Sequence, residues 1–342
     1  MEINYLKKYN KYYTKYKNIK KNILGGASNE AQIISIPLEL NKESTNDTNI
    51  IRSFLAPDLK DNKYEYSKIE YEINGKKVYI IKIVLNNEDY KPVLFALAGM
   101  SHKSFLGTSN IIISKLDDLA IKFKEIYLLE YDSFKREQII ACQKRDELID
   151  DLITKKQDRD GYGLIEFIGA SAFDNMSLDD KLKNVFFEPE LELNNKIAKI
   201  INYIIKDLKL SHIHLLGKCN GAWIATILIT NETSPEIYKG LYLAVPGIPG
   251  SVEDLKKLDV NKLKDINFVF GWIKQDAYNF KWGKKSFEEK DRYDKIMQDI
   301  IDKNIDIDIK YHSHIYDNNC QAHPNIFHEI YPDMIESIIR TL

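Results

Sequence analysis

The chain has 342 residues, of which 44% are hydrophobic and 29% are charged, a composition that suits a globular protein and excludes a collagen-like or wholly disordered one. Lys and Arg total 49 against 51 Asp and Glu, so the net charge offers no field for nucleic acid or an anionic membrane, and we expect neither partner. Three widely spaced cysteines predict no disulfide framework, and no stretch has the ~18 consecutive apolar residues of a membrane span. We therefore predict one large domain with additions, in a reducing compartment such as the cytoplasm.

Residues 1–26 form a basic leader of Lys, Tyr and Asn that ends at Gly25-Gly26. It has too few aliphatic side chains to join a core, so we interpret it as a dispensable, partly helical tail. The leader also resembles those of many proteins from mimivirus-like giant DNA viruses, where Gly-Gly-X is similar to the cleavage signature of the virion-maturation protease. That resemblance implies processing after Gly26 and a location in the host cytoplasm or the virion.

An N-terminal extension follows over residues 27–65, and its polar run at 41–49 is typical of a loop. Regular structure is expected to begin with two strands, 68–73 and 76–85. They flank Asn74-Gly75, a dipeptide that accepts positive φ and favours a tight turn between antiparallel strands. The sequence therefore predicts an antiparallel hairpin at the start of the main domain, which we place at 66–342.

Beyond the hairpin, short apolar runs alternate with amphipathic helices. The predicted strands are 92–100, 125–132, 212–217, 240–247, 266–272 and 305–316. The predicted helices are 110–124, 192–208, 221–229, 285–302 and 332–342. This alternation indicates an α/β fold with a mostly parallel sheet that is covered by helices on both faces.

Residues 133–190 interrupt the alternation, since nearly 60 residues separate a strand from its following helix where about 2 to 6 are usual. Aromatic and aliphatic residues persist through this segment. We interpret it as a lid-like insert over the carboxyl ends of the strands rather than as a linker. Its Tyr162, Phe167 and Phe173 either contact a hydrophobic acyl group or form a small core of the insert.

A strand-turn-helix motif lies at Gly217-Lys218-Cys219-Asn220-Gly221. A nucleophile on such a sharp turn occupies a strained backbone conformation, and side chains two residues before or after it would collide with the neighbouring chain. The following helix offers free N–H groups and the positive end of its dipole, which favour a thiolate and a developing oxyanion. Cys219 is therefore a candidate nucleophile, and a small buried cysteine in a tight turn is the alternative.

The stretch GKCNGAW resembles the nucleophile elbow of the α/β-hydrolase superfamily, in the cysteine form of dienelactone hydrolases, where most relatives carry serine. The resemblance covers roughly residues 66–342 and implies the order nucleophile, acid, histidine. Asp276, just after the strand 266–272, is then the acid. His323, about 20 residues from the C-terminus, is the histidine, with His328 as the alternative.

His312 and His314 fall within a predicted strand and alternate on one face, so we interpret them as packing or surface residues. The family also needs two oxyanion donors. The backbone N–H of Asn220 supplies one, and Met100, after Ala98-Gly99 in a loop that resembles the family's His-Gly loop, supplies the other. The usual histidine before that glycine is absent here.

These roles imply a hydrolase of esters, lactones or thioesters, in which a Cys-His-Asp triad acts on a small-molecule acyl substrate through a thioacyl-enzyme. An alcohol or amine acceptor would make the protein a transferase. No metal or other cofactor is implied, because His212 and His214 lack a third ligand and no glycine pattern matches a phosphate-binding loop. The alternative is a non-catalytic virion or scaffold protein that has kept the α/β-hydrolase fold.

Overall fold

The structure of the protein is a computed structural model. It describes residues 40–55, 63–73, 75–99, 102–137, 140–141, 188–231, 235–244, 254–263, 266–273, 286–316 and 331–342. The leader 1–26 and most of the insert 133–190 lie outside the described residues. So do four of the candidate site residues, namely Met100, Asp276, His323 and His328. The predictions made for these segments therefore stay predictions.

Nine strands form one sheet within the described residues. They are β1 (Leu40–Thr45), β2 (Glu65–Ile73), β3 (Lys76–Val84), β4 (Val93–Leu97), β5 (Glu125–Glu130), β6 (Ile213–Lys218), β7 (Tyr238–Ala244), β8 (Ile266–Ile273) and β9 (Ile309–Tyr316). The helices are α1 (Thr48–Leu55), α2 (His102–Ile113), α3 (Leu116–Ala120), α4 (Glu188–Asp207), α5 (Asn220–Asn231), α6 (Ser286–Lys303) and α7 (Tyr331–Thr341). Short 3-10 helices cover Asp132–Phe134, Pro235–Ile237 and Val260–Lys262.

The strand order across the sheet is β1-β2-β3-β5-β4-β6-β7-β8-β9. The six neighbouring strands β5, β4, β6, β7, β8 and β9 are parallel to one another. The pairs β1–β2, β2–β3 and β3–β5 are antiparallel. The predicted hairpin is confirmed, since Ile73 pairs with Lys76 and Gly75 has a φ of 70°. The carboxyl ends of six parallel strands consequently lie along one edge of the sheet.

Helices cover both faces of the sheet, as the alternation predicted. One core forms between the sheet and α4, α5 and α6, and the other between the sheet and α1, α2, α3 and α7. The central strands β4, β6 and β8 are buried along their whole length, which explains why they appear in the sequence as continuous apolar runs. Among the described helices, none combines the length and the apolarity needed to cross a lipid bilayer.

The prediction of a loop at residues 41–49 is wrong, because these residues form most of β1 and the start of α1. An edge strand pairs on one side only and faces water, so polar residues suit it, and Lys42 forms an ion pair of 2.7 Å with Asp207 of α4. The Asp47 carboxylate accepts a 2.8 Å hydrogen bond from the backbone N–H of Asn49 and caps α1. The buried side chains of that helix, Ile51 and Leu55, lie one helical turn apart.

The single helix predicted at 110–124 is two helices, and the first begins at His102. The run HKSFLGTSN has too many small polar residues to predict a helix. Its hydroxyl groups bond within the helix instead, from Thr108 to the carbonyl of Ser104 and from Ser109 to that of Phe105, both at 2.8 Å. The early start places the first turn of α2 directly after the loop that follows β4.

Candidate active site

Cys219 occupies the turn between β6 and α5 with a φ of 52°, a left-handed conformation that few residues other than glycine adopt. Its backbone N–H donates to the carbonyl of Ala244 in β7 at 3.0 Å, and its own carbonyl accepts from Ala222 at 3.0 Å. These bonds hold the strained residue between a parallel strand and the first turn of a helix. The thiol is half-buried. This strained strand-to-helix turn has the backbone geometry that a nucleophile elbow requires, and it is called the elbow below.

The two glycines of the motif are required by close contacts. A Cβ atom on Gly217 would lie 2.5 Å from the carbonyl oxygen of Gly221 and 2.6 Å from the Cα atom of Ala222. A Cβ atom on Gly221 would lie 2.4 Å from the carbonyl oxygens of both Leu97 and Ala98 at the end of β4. Since these neighbours are backbone atoms, they cannot move aside as a side chain would. The steric reason inferred from the sequence therefore applies at both positions.

The loop after β4 meets the elbow. A Cβ atom on Gly99 would lie 3.4 Å from the Cβ atom of Cys219 and 2.7 Å from the Oγ atom of Ser104. The Gly99 N–H donates to Ser104 Oγ at 3.0 Å, so it is already used within this loop. Met100, which the sequence predicts as the second oxyanion donor, lies outside the described residues, whereas its neighbour Gly99 lies beside Cys219.

Asn220 is the first residue of α5, so its backbone N–H has no partner four residues earlier in its own helix. Its carboxamide is buried and pairs with that of Asn194 in α4 through two hydrogen bonds of 3.0 Å, one in each direction. Asn194 lies in the second turn of α4, so this helix packs beside the elbow.

Glu130 is the last residue of β5, and Tyr131 follows it beside this site. The Tyr131 hydroxyl donates a 2.6 Å hydrogen bond to the carbonyl of Ala98. Burial raises the pKa of Tyr131. Burial also raises the pKa of Glu130 to about 7, although the backbone N–H of Asp132 donates to its carboxylate at 3.0 Å.

Four of the histidines in the described residues divide between the surface and the core. His312 and His314 stack on each other and are exposed on one face of β9, which confirms that they are packing or surface residues. His212 precedes β6 at a φ of 52° and is exposed, so its place in the predicted strand 212–217 is wrong. His214 is buried in β6 and bonds the Tyr242 hydroxyl.

Sequence reasoning missed Tyr131, Asn194 and Ser104. Asn194 carried a signal, since it lies on the buried face of α4 beside the apolar Leu193 and Ile197, and a buried polar side chain in that position needs a partner. Tyr131 carried none, because its contact with Ala98 depends on the order of the strands, which local patterns do not encode. Ser104 bonds Gly99 only five residues away, at the start of a helix that the sequence did not predict. Within the described part of the chain, no group of three His, Cys, Asp or Glu side chains is placed to hold a metal ion.

The α/β-hydrolase fold is defined by a mostly parallel sheet with helices on both faces and an antiparallel hairpin at one side. A sharp strand-to-helix turn follows one of its central strands, as the elbow does here. The chain has this fold. No protein-family model and no curated protein sequence matches it. Neither the fold nor the elbow fixes an activity, because members of one fold carry out different reactions or none.

Solved structures with some likeness to the chain include three hydrolases. One is a CIB-like hydrolase from Thermoplasma acidophilum, with 13% identity and a TM-score of 0.41, covering 81% of this chain and 95% of that one. Another is a cold-adapted esterase from an Arctic intertidal metagenomic library, with 9% identity and a TM-score of 0.40, covering 83% and 97%. The third is an acetyl xylan esterase from Paenibacillus sp. R4, with 8% identity and a TM-score of 0.41, covering 89% of each. The strand order and the elbow are the features that define the fold of this chain.

Proposed function

We propose that the protein is a hydrolase of esters, lactones or thioesters in which Cys219 is the nucleophile. The observation that carries the proposal is the backbone of Cys219, which has a positive φ at a strand-to-helix turn between two glycines that tolerate no side chain. Such strain costs about 1 to 3 kcal/mol and persists in proteins chiefly where function uses it. A buried structural cysteine needs no such turn.

The remaining members of the triad are proposed from chain order and from the direction of the strands. Along the chain, Asp276 comes soon after the end of β8, and His323 comes between β9 and α7. Because β6, β8 and β9 are parallel, the loops that follow β8 and β9 leave the sheet at the edge where Cys219 lies. This arrangement supports His323 as the base and Asp276 as the group that orients it.

The proposed reaction has two halves. His323 takes the proton of the Cys219 thiol, Sγ forms a bond to the acyl carbon, and the carbonyl oxygen becomes an oxyanion held by the N–H groups of Asn220 and Met100. The C–O or C–S bond to the leaving group then breaks, and His323 returns the proton to that group. In the second half, water activated by His323 attacks the thioacyl-enzyme and releases the acid and the thiol.

The test combines competitive alkylation with turnover. Iodoacetamide near neutral pH should modify Cys219 faster than Cys142 or Cys320, because a helix N-terminus and a neighbouring imidazole favour the thiolate. Cys219→Ser should keep the fold, because the two side chains have similar volumes, while turnover of 4-nitrophenyl acetate or a thioester falls or changes its slow step. Cys219 as the slowest cysteine, together with no turnover of any acyl ester or thioester, would favour the non-catalytic scaffold instead.

A further inference from the structure

The elbow is held by three neighbouring elements of the fold. The Cys219 N–H donates to the carbonyl of Ala244 in β7 at 3.0 Å, and Gly221 packs against the backbone at the end of β4. The third contact runs to α4 through the side chain of Asn220, the first residue of α5. The first two contacts are made by the backbone. The third is made by side chains, so a substitution in α4 can remove it without changing the residues of the turn itself.

Asn194 is the residue of α4 that makes this third contact. Its carboxamide and that of Asn220 exchange two hydrogen bonds of 3.0 Å, and the two residues are only 1% and 3% exposed. Because each amide both donates to the other and accepts from it, the pair fixes the orientation of both side chains. Separating two buried amides is costly, since both lose a partner that water does not replace. The pair is therefore a rigid link between α4 and the first turn of α5.

The peptide group between Cys219 and Asn220 is the part of the turn that this link restrains. Its carbonyl oxygen accepts from the N–H of Ala222 at 3.0 Å, and its own N–H, that of Asn220, is a proposed oxyanion donor. A peptide group is planar, so its carbonyl and its N–H turn together. The Cα atom that follows this N–H carries the carboxamide that is fixed to α4. The direction of the N–H is thus set by Ala222 from one side and by Asn194 from the other.

We propose that Asn194 is a positioning residue of the elbow, which holds the Asn220 N–H in the direction that a developing oxyanion requires. This inference rests on the proposed function. A donor that is already oriented stabilises developing charge more than one that must turn during the reaction. With 1% of its surface exposed, Asn194 acts through Asn220 and not on the substrate.

The test is Asn194→Leu in the full chain, assayed with 4-nitrophenyl acetate and with iodoacetamide. We expect kcat to fall about tenfold, less than the ~10² to 10³ lost when an oxyanion donor itself is removed. KM should stay within about twofold, because ground-state binding does not use the oxyanion donor. Alkylation of Cys219 should keep its wild-type rate, since that reaction forms no oxyanion.

Asn195→Leu is the matched control. Asn195 is the next residue of α4, and its side-chain oxygen accepts a 3.5 Å hydrogen bond from Asn231, the last residue of α5. That contact joins the same two helices at the end of α5 that lies away from the elbow. The same substitution there should leave kcat unchanged. An equal loss of kcat in both variants would show that the general packing of α4 on α5 sets the rate, and it would overturn the proposal.

The double variant Asn194→Leu/Asn220→Leu separates positioning from stability. It leaves no buried carboxamide at this contact, so its melting temperature should lie above that of Asn194→Leu. Its kcat should nevertheless stay about tenfold below that of the wild type, because the hydrogen-bonded link is still missing. Recovery of wild-type kcat in the double variant would mean that Asn194 only provides a partner for a buried amide, and the proposal would fall.

The failure of this inference differs from the failure of the proposed function. Wild-type kcat in Asn194→Leu would refute the inference and leave the proposed function standing. If Asn194→Leu does not fold, the double variant takes its place with the same expected kcat and KM. No turnover by the wild-type protein would instead remove the proposed function and this inference with it.

Discussion

Gly221 packs directly against the carbonyl oxygen of Ala98, so closely that a Cβ atom on the glycine would lie 2.4 Å from that oxygen. The contact joins the first turn of α5 to the end of β4. It brings the elbow at Cys219 and the loop after β4 together without an intervening side chain. The geometry of the site therefore depends on a backbone-to-backbone contact that only glycine permits.

Gly221→Ala should destabilise the fold by about 2 to 4 kcal/mol, because the new methyl group must push apart two backbone segments. It should also separate the elbow from the loop after β4 and lower turnover. Gly107→Ala is the matched control, since a Cβ atom at Gly107 meets nothing within 4 Å and the residue lies inside α2. Alanine there should stabilise the protein by about 0.5 to 1 kcal/mol. Equal stability of the two variants in urea titration would contradict the steric account.

The choice between two histidines can be tested by a pair of substitutions. His323→Ala should slow both the turnover of acyl esters and the alkylation of Cys219, because the thiol loses its base. His328→Ala, five residues away in the same peptide segment, should change neither rate by more than about twofold if the base is His323. The opposite pattern would assign the base to His328, and two unchanged variants would remove the triad.

Buried His214 predicts a loss of stability in acid. Burial lowers the pKa of His214 to about 3 from an ordinary 6.5, and the nearby His212 and Lys239 charges act in the same direction. Below pH 6.5 the unfolded chain binds a proton that the folded protein does not, so stability falls as the pH drops from 6.5 toward 3. The double variant His214→Leu/Tyr242→Phe removes both hydrogen-bond partners together. Between pH 6.5 and 3 its free energy of unfolding should fall by about 2 to 4 kcal/mol less than that of the wild type. Parallel curves of unfolding free energy against pH for variant and wild type would refute this.

Glu130 predicts a pH dependence of opposite sign. Burial raises the pKa of Glu130 to about 7, so the folded state holds a proton that the unfolded chain releases near pH 4.5. Its contribution to stability is complete below pH 4.5 and is lost as the pH rises through 7. Glu130→Gln retains an acceptor for the Asp132 N–H. As the pH rises from 4.5 to 8, its free energy of unfolding should increase by about 2 kcal/mol relative to that of the wild type. The half-buried Glu125 on the same strand provides a control, and an identical gain in Glu125→Gln would show that the effect is not specific to burial.

Those parts of the fold that rest on local pattern could be predicted from the sequence. The apolar runs of β4, β6 and β8 and the turn at Gly75 each carry their own signal, as does the elbow around Cys219. The edge strand β1 carries none, because a strand that faces water on most of its length has no apolar alternation. The helix α1 was missed for another reason, since its capping residue Asp47 lies in a run that is polar throughout.

The site could be predicted only as far as its motif. The sequence indicates that Cys219 lies on a strained turn, but it does not reveal that β4 separates β5 from β6 in the sheet. That arrangement carries Tyr131 from the end of β5 to the carbonyl of Ala98. Contacts between the ends of strands that are distant in sequence arise from topology, and no local spacing records them.

The most direct measurement of the central claim is the covalent intermediate itself. The protein is mixed with 4-nitrophenyl acetate, quenched in acid during the first turnover, and examined by intact mass and peptide mapping. The account predicts one added acetyl group on Cys219, absent from Cys219→Ala and not found on Cys142 or Cys320. Release of 4-nitrophenol with acetylation at other residues, or with Cys219 unmodified when the thioester is shown to survive the quench, would contradict it.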